Sequence, residues 1–304
     1  MEPFRCGFAA IAGAPSAGKS TLLNRLLGEK VAIVAAKPQT TRHRILGVLT
    51  EPEAQLIFWD TPGIHQAPKL LNQEMLARTQ SALAECDVIL WVVDALRRGI
   101  DHRTAREMIQ PWIDKKKPVI AAVSKVDRLT KAGRRDLAPL LKELDPGPPG
   151  LVLEISGKTG LGLYSLKKEL CLRLPVQECL YPEDTLTGQT LRTMAAEMIR
   201  EAVFRLTGQE IPSASAVTVE EFQERPLEET CLIKAAIHVE KTSQKKMVIG
   251  LGGRKLRDIG QTARLSLEKF LGRKVYLELF VRVTEDWTKN PRLLQEFGYD
   301  RSSE

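Results

Sequence analysis

No stretch of this chain is apolar for long enough to cross a bilayer. The longest apolar run, CDVILWVVDA at 86–95, falls well short of the ~20 residues that a spanning helix needs, and its length suits a buried strand. Cysteines spaced for zinc or redox chemistry are also lacking. Cys6, Cys86, Cys171, Cys179 and Cys231 are scattered without a C-x-x-C pair, which fits reduced cytosolic thiols. The N-terminal segment carries one early Arg and a short apolar stretch, but it runs straight into a phosphate-loop pattern where a cleavage site would stand, so no signal peptide is expected. Internal repeats and low-complexity tracts are absent as well.

What the chain has in excess is positive charge, concentrated in one place. The formal net charge is +7, with a pI near 9.1, and a polyanionic partner suits such a bias. Between Lys241 and Lys274 ten Lys and Arg stand against Asp258 and Glu268, a local excess of +8 that exceeds the net charge of the whole chain. A length of 304 residues, 43% of them hydrophobic and 27% charged, allows two globular domains with separate cores.

Patterning divides the chain in two. The first half alternates continuous apolar runs (GFAAIAG, AQLIFWDT, DVILWVVDA, PVIAAVSKVD, LVLEISG) with helical segments, which predicts a mainly parallel sheet with helices on both faces. The cluster LDPGPPG at 144–150 reads as a surface loop inside this domain, because another strand with motif residues follows at once. The boundary falls in LPVQECLYPEDTLTGQT, which lacks both helical and strand periodicity. These features predict a first domain over 1–174, a linker over 175–189 and a second domain over 190–304. The second begins with a helical pattern at 190–208, followed by two alternating strands, a glycine loop, a helix at about 254–271 and the strand KVYLELFVRV, the order of a small α+β domain with an antiparallel component.

GAPSAGKS fits G-x-x-x-x-G-K-[ST], after a strand and opening a helix. The loop of Gly13, Ala14, Pro15, Ser16, Ala17 and Gly18 frames a phosphate cradle with the backbone N–H groups of all but Pro15. Lys19 reaches the terminal phosphates, Ser20 ligates Mg²⁺, and Thr21 follows in the helix. Asp60 ends a buried strand in LIFWDTPG, so its carboxylate comes to the sheet edge beside the loop, with Thr61, Pro62 and Gly63 behind it; the Gly63 N–H can meet a γ-phosphate. AAVSKVD ends another strand with Ser124, Lys125 and Asp127. A carboxylate there accepts both the ring N–H and the amino group of guanine, a donor pair that adenine does not present, while the stem of Lys125 can cover the base. LEISGKTG ends the last strand, where the N–H of Gly157 or Lys158, next to Ser156, can meet the guanine O6.

These motifs, in this order, resemble those of a translation-factor-class GTPase, and KPQTTRHRILGV at 37–48 with NPRLLQEFGY at 290–299 narrows the resemblance to the Era family, over nearly the whole chain. The resemblance implies an α/β P-loop GTPase domain followed by an α+β type II KH domain, with GTP or GDP and Mg²⁺ as ligands. It also implies binding to the 3′ end of 16S rRNA and a role in assembly of the 30S subunit. The implied setting is a cytoplasmic monomer, with a peripheral contact on the cytoplasmic face of the membrane left open. By position, Thr41, or alternatively Thr40, is the switch threonine that joins Ser20 on the metal, and Asp60 holds a metal-bound water. Ile64 stands where many small GTPases have a glutamine that orients the attacking water, which implies slow intrinsic hydrolysis quickened by a partner and leaves the hydrolytic residue unassigned. Ser124 replaces the usual Asn and Gly157 the usual Ala, departures that predict a less firmly tied phosphate loop and a freer base loop.

Gly250 to Gly253 forms a G-x-x-G loop between an apolar strand-like run and a basic helix-like one, and it resembles the loop with which KH domains clamp single-stranded RNA. The resemblance assigns RNA contact to Gly250, Leu251, Gly252, Gly253, Arg254, Lys255 and Arg257. Leu251 stands where such loops commonly carry a basic or polar residue. Val248, Ile249 and Ile259 are expected to line the groove against bases, with the core as the alternative for most of their area; the charges at 241–246 are expected to support RNA binding, with a solvated edge strand as the alternative. One rival is a constitutive RNA-binding module whose G domain binds nucleotide only structurally. A second, an RNA-modification GTPase, lacks a reactive constellation after residue 190.

Overall fold

The computed structural model describes residues 3–34, 41–42, 44–63, 70–97, 100–135, 137–208, 210–225 and 230–299. Two compact units divide it, one built mainly from the chain up to Gly188 and the other mainly from Gln189 onward.

The first unit runs β1 (Arg5–Ala12), α1 (Lys19–Leu27), β2 (Ile45–Glu51), β3 (Ala54–Asp60), α2 (Leu70–Glu85), β4 (Val88–Asp94), α3 (Ile100–Asp114), β5 (Val119–Ser124), α4 (Lys131–Arg135), α5 (Leu137–Leu144), β6 (Leu151–Glu154) and α6 (Leu163–Leu172). Its six strands lie in the order β2-β3-β1-β4-β5-β6; every neighbouring pair is parallel except β2 with β3. The continuous apolar runs are explained by burial on both faces. Along β1, Ala9 and Ile11 pack with Leu22 and Leu23 of α1, while Ala10 and Ala12 pack with Leu83 of α2 and Trp91. Central β1 therefore delivers the phosphate loop between β3, which ends in Asp60, and β4, which ends in Asp94.

Residues 175–189 lack periodicity, yet bonds to strand edges fix their path. Arg5 bridges Val176, Gly47 bridges Thr187, and the Val48 N–H donates to the Leu186 carbonyl at 2.9 Å. Gln55, buried in β3, accepts from the N–H groups of Leu180 and Tyr181 at 3.0 Å and donates to the Tyr181 carbonyl at 2.8 Å.

The second unit runs α7 (Leu191–Leu206), α8 (Glu210–Ala214), β7 (Ser215–Arg225), β8 (Thr230–Val239), α9 (Thr242–Ile249), α10 (Arg254–Leu271), β9 (Lys274–Val283) and α11 (Pro291–Glu296). In its sheet β8 is central, antiparallel to β7 and parallel to β9. One face packs on helices through Met198, Val203, Ile233, Ile237, Ala263 and Leu267. The apolar run before the glycine loop is helix α9, not a strand, and the charges at 241–246 lie on its first turns. Gln244, in its first turn, caps its start, its side-chain oxygen accepting from the N–H groups of Glu240 and Lys241, each at 3.0 Å. No helix among the described residues is long and apolar enough to cross a membrane.

Candidate functional site

Three oxygens meet at the C-terminal edge of the first sheet. Ser20 Oγ, at the start of α1, donates to Asp60 Oδ2 at 2.7 Å and lies 2.8 Å from Thr41 Oγ1, which itself is 3.3 Å from Asp60 Oδ2. Asp60 is fully buried, and its other oxygen, Oδ1, has no hydrogen-bond partner among the described residues. Burial pushes its carboxyl up to about 6, against the pull of Lys19 and the hydroxyls of Ser20 and Thr41. Lys19 is buried too and is pushed down to about 8 for the same reason, with Asp60 opposing; its Nζ donates to the carbonyls of Gly13 and Ala14 at 3.1 and 3.0 Å. Two buried, oppositely charged groups and an orphaned carboxylate oxygen form a site that an added polyanion and hard cation would complete. Two hydroxyls and a carboxylate are a fitting protein share for Mg²⁺, which usually keeps several waters and takes its remaining ligands from substrate phosphates.

The Asp60-Thr61-Pro62-Gly63 turn is fastened to β1 and to α2. Thr61 Oγ1 donates to the Ile11 carbonyl at 2.8 Å, and Thr79 Oγ1 donates to the Pro62 carbonyl at 3.2 Å. A side chain at position 63 would put its Cβ 2.7 Å from the Pro15 Cα, so glycine is what lets this turn lie against the phosphate loop. Thr40 and Ile64 lie outside the described residues.

The base-side motifs also come to this edge. Ser124, at the end of β5, donates from Oγ to the Ala17 carbonyl at 2.7 Å, with the Val93 carbonyl 3.1 Å away. The shorter side chain still ties the phosphate loop, through this one hydroxyl. Lys125, in the left-handed region at φ 61°, sends its Nζ to the Ser16 carbonyl and to Asp94 Oδ2, both at 2.7 Å. Asp127 follows in a 3-10 turn and is exposed. Ser156 is buried and caps its own turn by accepting from the Thr159 N–H at 3.1 Å, and Lys158 is exposed. The Gly157 Cα faces the start of α1, where an added Cβ would sit 3.5 Å from Thr21 Cγ2. An alanine would fit that ordinary contact, so the glycine at 157 gives up a packing methyl there.

Sequence reasoning missed Asp94 and Arg97. Asp94 ends β4 in a motif-free DALR, and Arg97 Nη1 donates to the Pro15 carbonyl at 3.4 Å. Only the strand-end position of Asp94, shared with Asp60 and Ser124, could have marked it.

In the second unit, Gly250, Leu251, Gly252 and Gly253 turn the chain from α9 into α10. Gly250, Gly252 and Gly253 all have positive φ, at 72°, 58° and 75°. A Cβ at Gly250 would meet the Lys255 Cβ at 2.7 Å. Leu251 is 87% exposed at the loop's apex, Arg254 and Arg257 are exposed, and Lys255 is half-buried beside them. Val248 and Ile259 are fully buried in the core, the alternative to the groove, and Ile249 packs against that core. Helical spacing turns these positions inward while the glycines and cations face out.

Comparison with known proteins matches this two-part arrangement. The family described as 50S ribosome-binding GTPase matches residues 8–125, and the KH domain family matches residues 210–288. GTPase Era of Geobacter metallireducens is 44% identical over 298 residues, covering 98% of this chain and 99% of that protein. GTPase Era of Heliobacterium modesticaldum is 41% identical over the full length of both. Among solved structures, Era in complex with MgGDPNP and nucleotides 1506-1542 of 16S ribosomal RNA is similar at 39% identity and a TM-score of 0.90, covering 98% of this chain and 99% of that one. A variant of Aquifex aeolicus Era bound to GDP and aluminium fluoride is similar at 38% identity and the same TM-score, covering 98% and 100%.

Proposed function

The chain belongs to the Era family of GTPases, and from that premise we propose that it binds the 3′ end of 16S rRNA through the Gly250–Gly253 loop and acts in assembly of the 30S subunit, with nucleotide state governing its hold on RNA. It hydrolyses GTP to GDP and phosphate and uses Mg²⁺. In this reading Ser20 and Thr41 ligate the cation directly and Asp60 holds it through a water, as the orphaned Oδ1 favours. Bound there, Mg²⁺ supplies charge neutralisation at the phosphates during hydrolysis. Lys19 and the N–H groups of the phosphate loop hold the phosphates, Asp127 accepts from guanine, and Gly157 or Lys158 donates to its O6.

The observation that carries the proposal is the meeting of Thr41 with Ser20 and Asp60. Thr41 lies 21 residues along the chain from Ser20 and 19 from Asp60, so a ligand held by all three joins three separate stretches of the chain. The second loop then serves a second polyanion. Glycines let an RNA backbone approach closely, and Arg254, Lys255 and Arg257 supply charge from the next helix. The setting this implies is cytoplasmic.

The hydrolytic side of the proposal is tested by GTP turnover of the full chain, alone and with 30S subunits. Slow turnover that rises on adding subunits is expected. The same turnover with and without them, under conditions where they bind, would contradict a switch that works on the subunit.

A further inference from the structure

Five consecutive carbonyls of the phosphate loop accept hydrogen bonds from side chains. Lys19 serves Gly13 and Ala14, Arg97 serves Pro15, Lys125 serves Ser16 and Ser124 serves Ala17. Each carbonyl shares a rigid plane with the next residue's amide, so a held carbonyl also fixes the direction of the N–H groups a phosphate would meet. Loop and ligand are thereby connected through the donors behind the loop.

Two of those donors converge on one buried carboxylate. Asp94 Oδ2 lies 2.7 Å from Lys125 Nζ and 3.9 Å from Arg97 Nε, and Asp94 Oδ1 accepts from the Leu96 N–H at 3.0 Å. The register pairs Asp94 with Ser124 on β5, so strand pairing sets this carboxylate beside a third donor. Lys125 is the side chain whose stem can cover the base, and its ammonium end is held here between Asp94 and Ser16.

We propose that Asp94 is a positioning residue for nucleotide binding: it orients Lys125 and Arg97 so that they hold the Ser16 and Pro15 carbonyls, and it fixes the Lys125 stem as the platform for the base. The proposal rests on the reading of this pocket as the guanine nucleotide site. The carboxylate touches no ligand in this account and acts only through the two cations. Loss of a carboxylate needed merely for folding would weaken nucleotide binding by the same factor whatever stands at position 125.

The test is a double-mutant cycle on GDP affinity in the full-length protein: wild type, Asp94→Asn, Lys125→Met and both together. Asn keeps an acceptor for the Leu96 N–H while removing the charge. Each single variant is expected to weaken GDP about tenfold, and the double variant to bind within about threefold of Lys125→Met, because two residues that act as one unit are not additive. Losses that multiply to about a hundredfold would make Asp94 an independent structural residue and overturn the proposal. GDP binding by Asp94→Asn equal to that of wild type would overturn it as well. Wild-type GDP binding, measured in the same titration, tests the nucleotide site separately. Should Asp94→Asn fail to fold by circular dichroism, Asp94→Glu, which keeps the charge but displaces it, takes its place in the cycle with the same expected and overturning results.

Discussion

Thr41 Oγ1 lies 2.8 Å from Ser20 Oγ, although 21 residues separate them, and both hydroxyls face the same oxygen of Asp60. This trio joins the phosphate loop, the segment that follows α1 and the end of β3 at one point. Replacing Thr41 by Val keeps its shape but removes its oxygen. GTP turnover is then expected to fall by at least about tenfold, a barrier increase of ~1.4 kcal/mol, while GDP affinity changes little. Single-turnover hydrolysis and a GDP titration on the same variant check this.

Ser124 ties the phosphate loop through a single hydroxyl. Ser124→Ala would leave the buried Ala17 carbonyl without that donor, a cost of about 1–3 kcal/mol. Because the loop is held for the ligand, much of that cost is expected in nucleotide binding, as a roughly tenfold weaker GDP complex in calorimetric titration.

Leu251 stands at the apex of the second glycine loop with 87% of its surface exposed, so a longer cationic side chain there meets no steric obstacle. Leu251→Lys is expected to tighten single-stranded RNA binding at low salt and to steepen the dependence of log affinity on log salt by about 0.7, the value of one added phosphate contact. Titrations at three or more salt concentrations read both quantities. An unchanged slope would mean that the apex does not face the RNA backbone.

His238 is buried between β7 and the C-terminal segment. Its ring nitrogens lie 2.9 Å from the hydroxyls of Thr218 and Thr284, and it packs on Phe297 at 4.4 Å between centroids. Burial, with Arg282 adding to it and Glu220 opposing, pushes its pKa from 6.5 down to about 4. Between those values the unfolded chain binds more protons than the folded one. The stability contributed by the neutral ring is therefore full above about pH 6.5 and is lost as pH falls towards 4. Urea unfolding of the wild type and of His238→Gln at pH 7 and pH 5 is expected to show a smaller loss for the variant.

Much of the site was legible because its motifs end apolar strands. Gly13 to Ser20, Asp60, and Ser124 to Asp127 could each be placed at the sheet's C-terminal edge from the runs that precede them. Asp94 could not, since its importance lies in which cations reach it across neighbouring strands. Helix α9 was obscured because MVIG is locally strand-like, and the cap that Gln244 supplies lies outside that run. Val248 and Ile259 look like groove residues by their closeness to the glycines, yet the core claims them. The segment 175–189 has no pattern of its own because the strands it binds, and Gln55, supply its order.

The central claim is that nucleotide state governs RNA binding, and it is tested most directly by the affinity of the full chain for a single-stranded RNA matching the 3′ end of 16S rRNA. The measurement is made with a GTP analogue, with GDP and without nucleotide, at one fixed salt concentration. Tighter binding with the GTP analogue alone is the predicted result; equal affinity in all three states would contradict it.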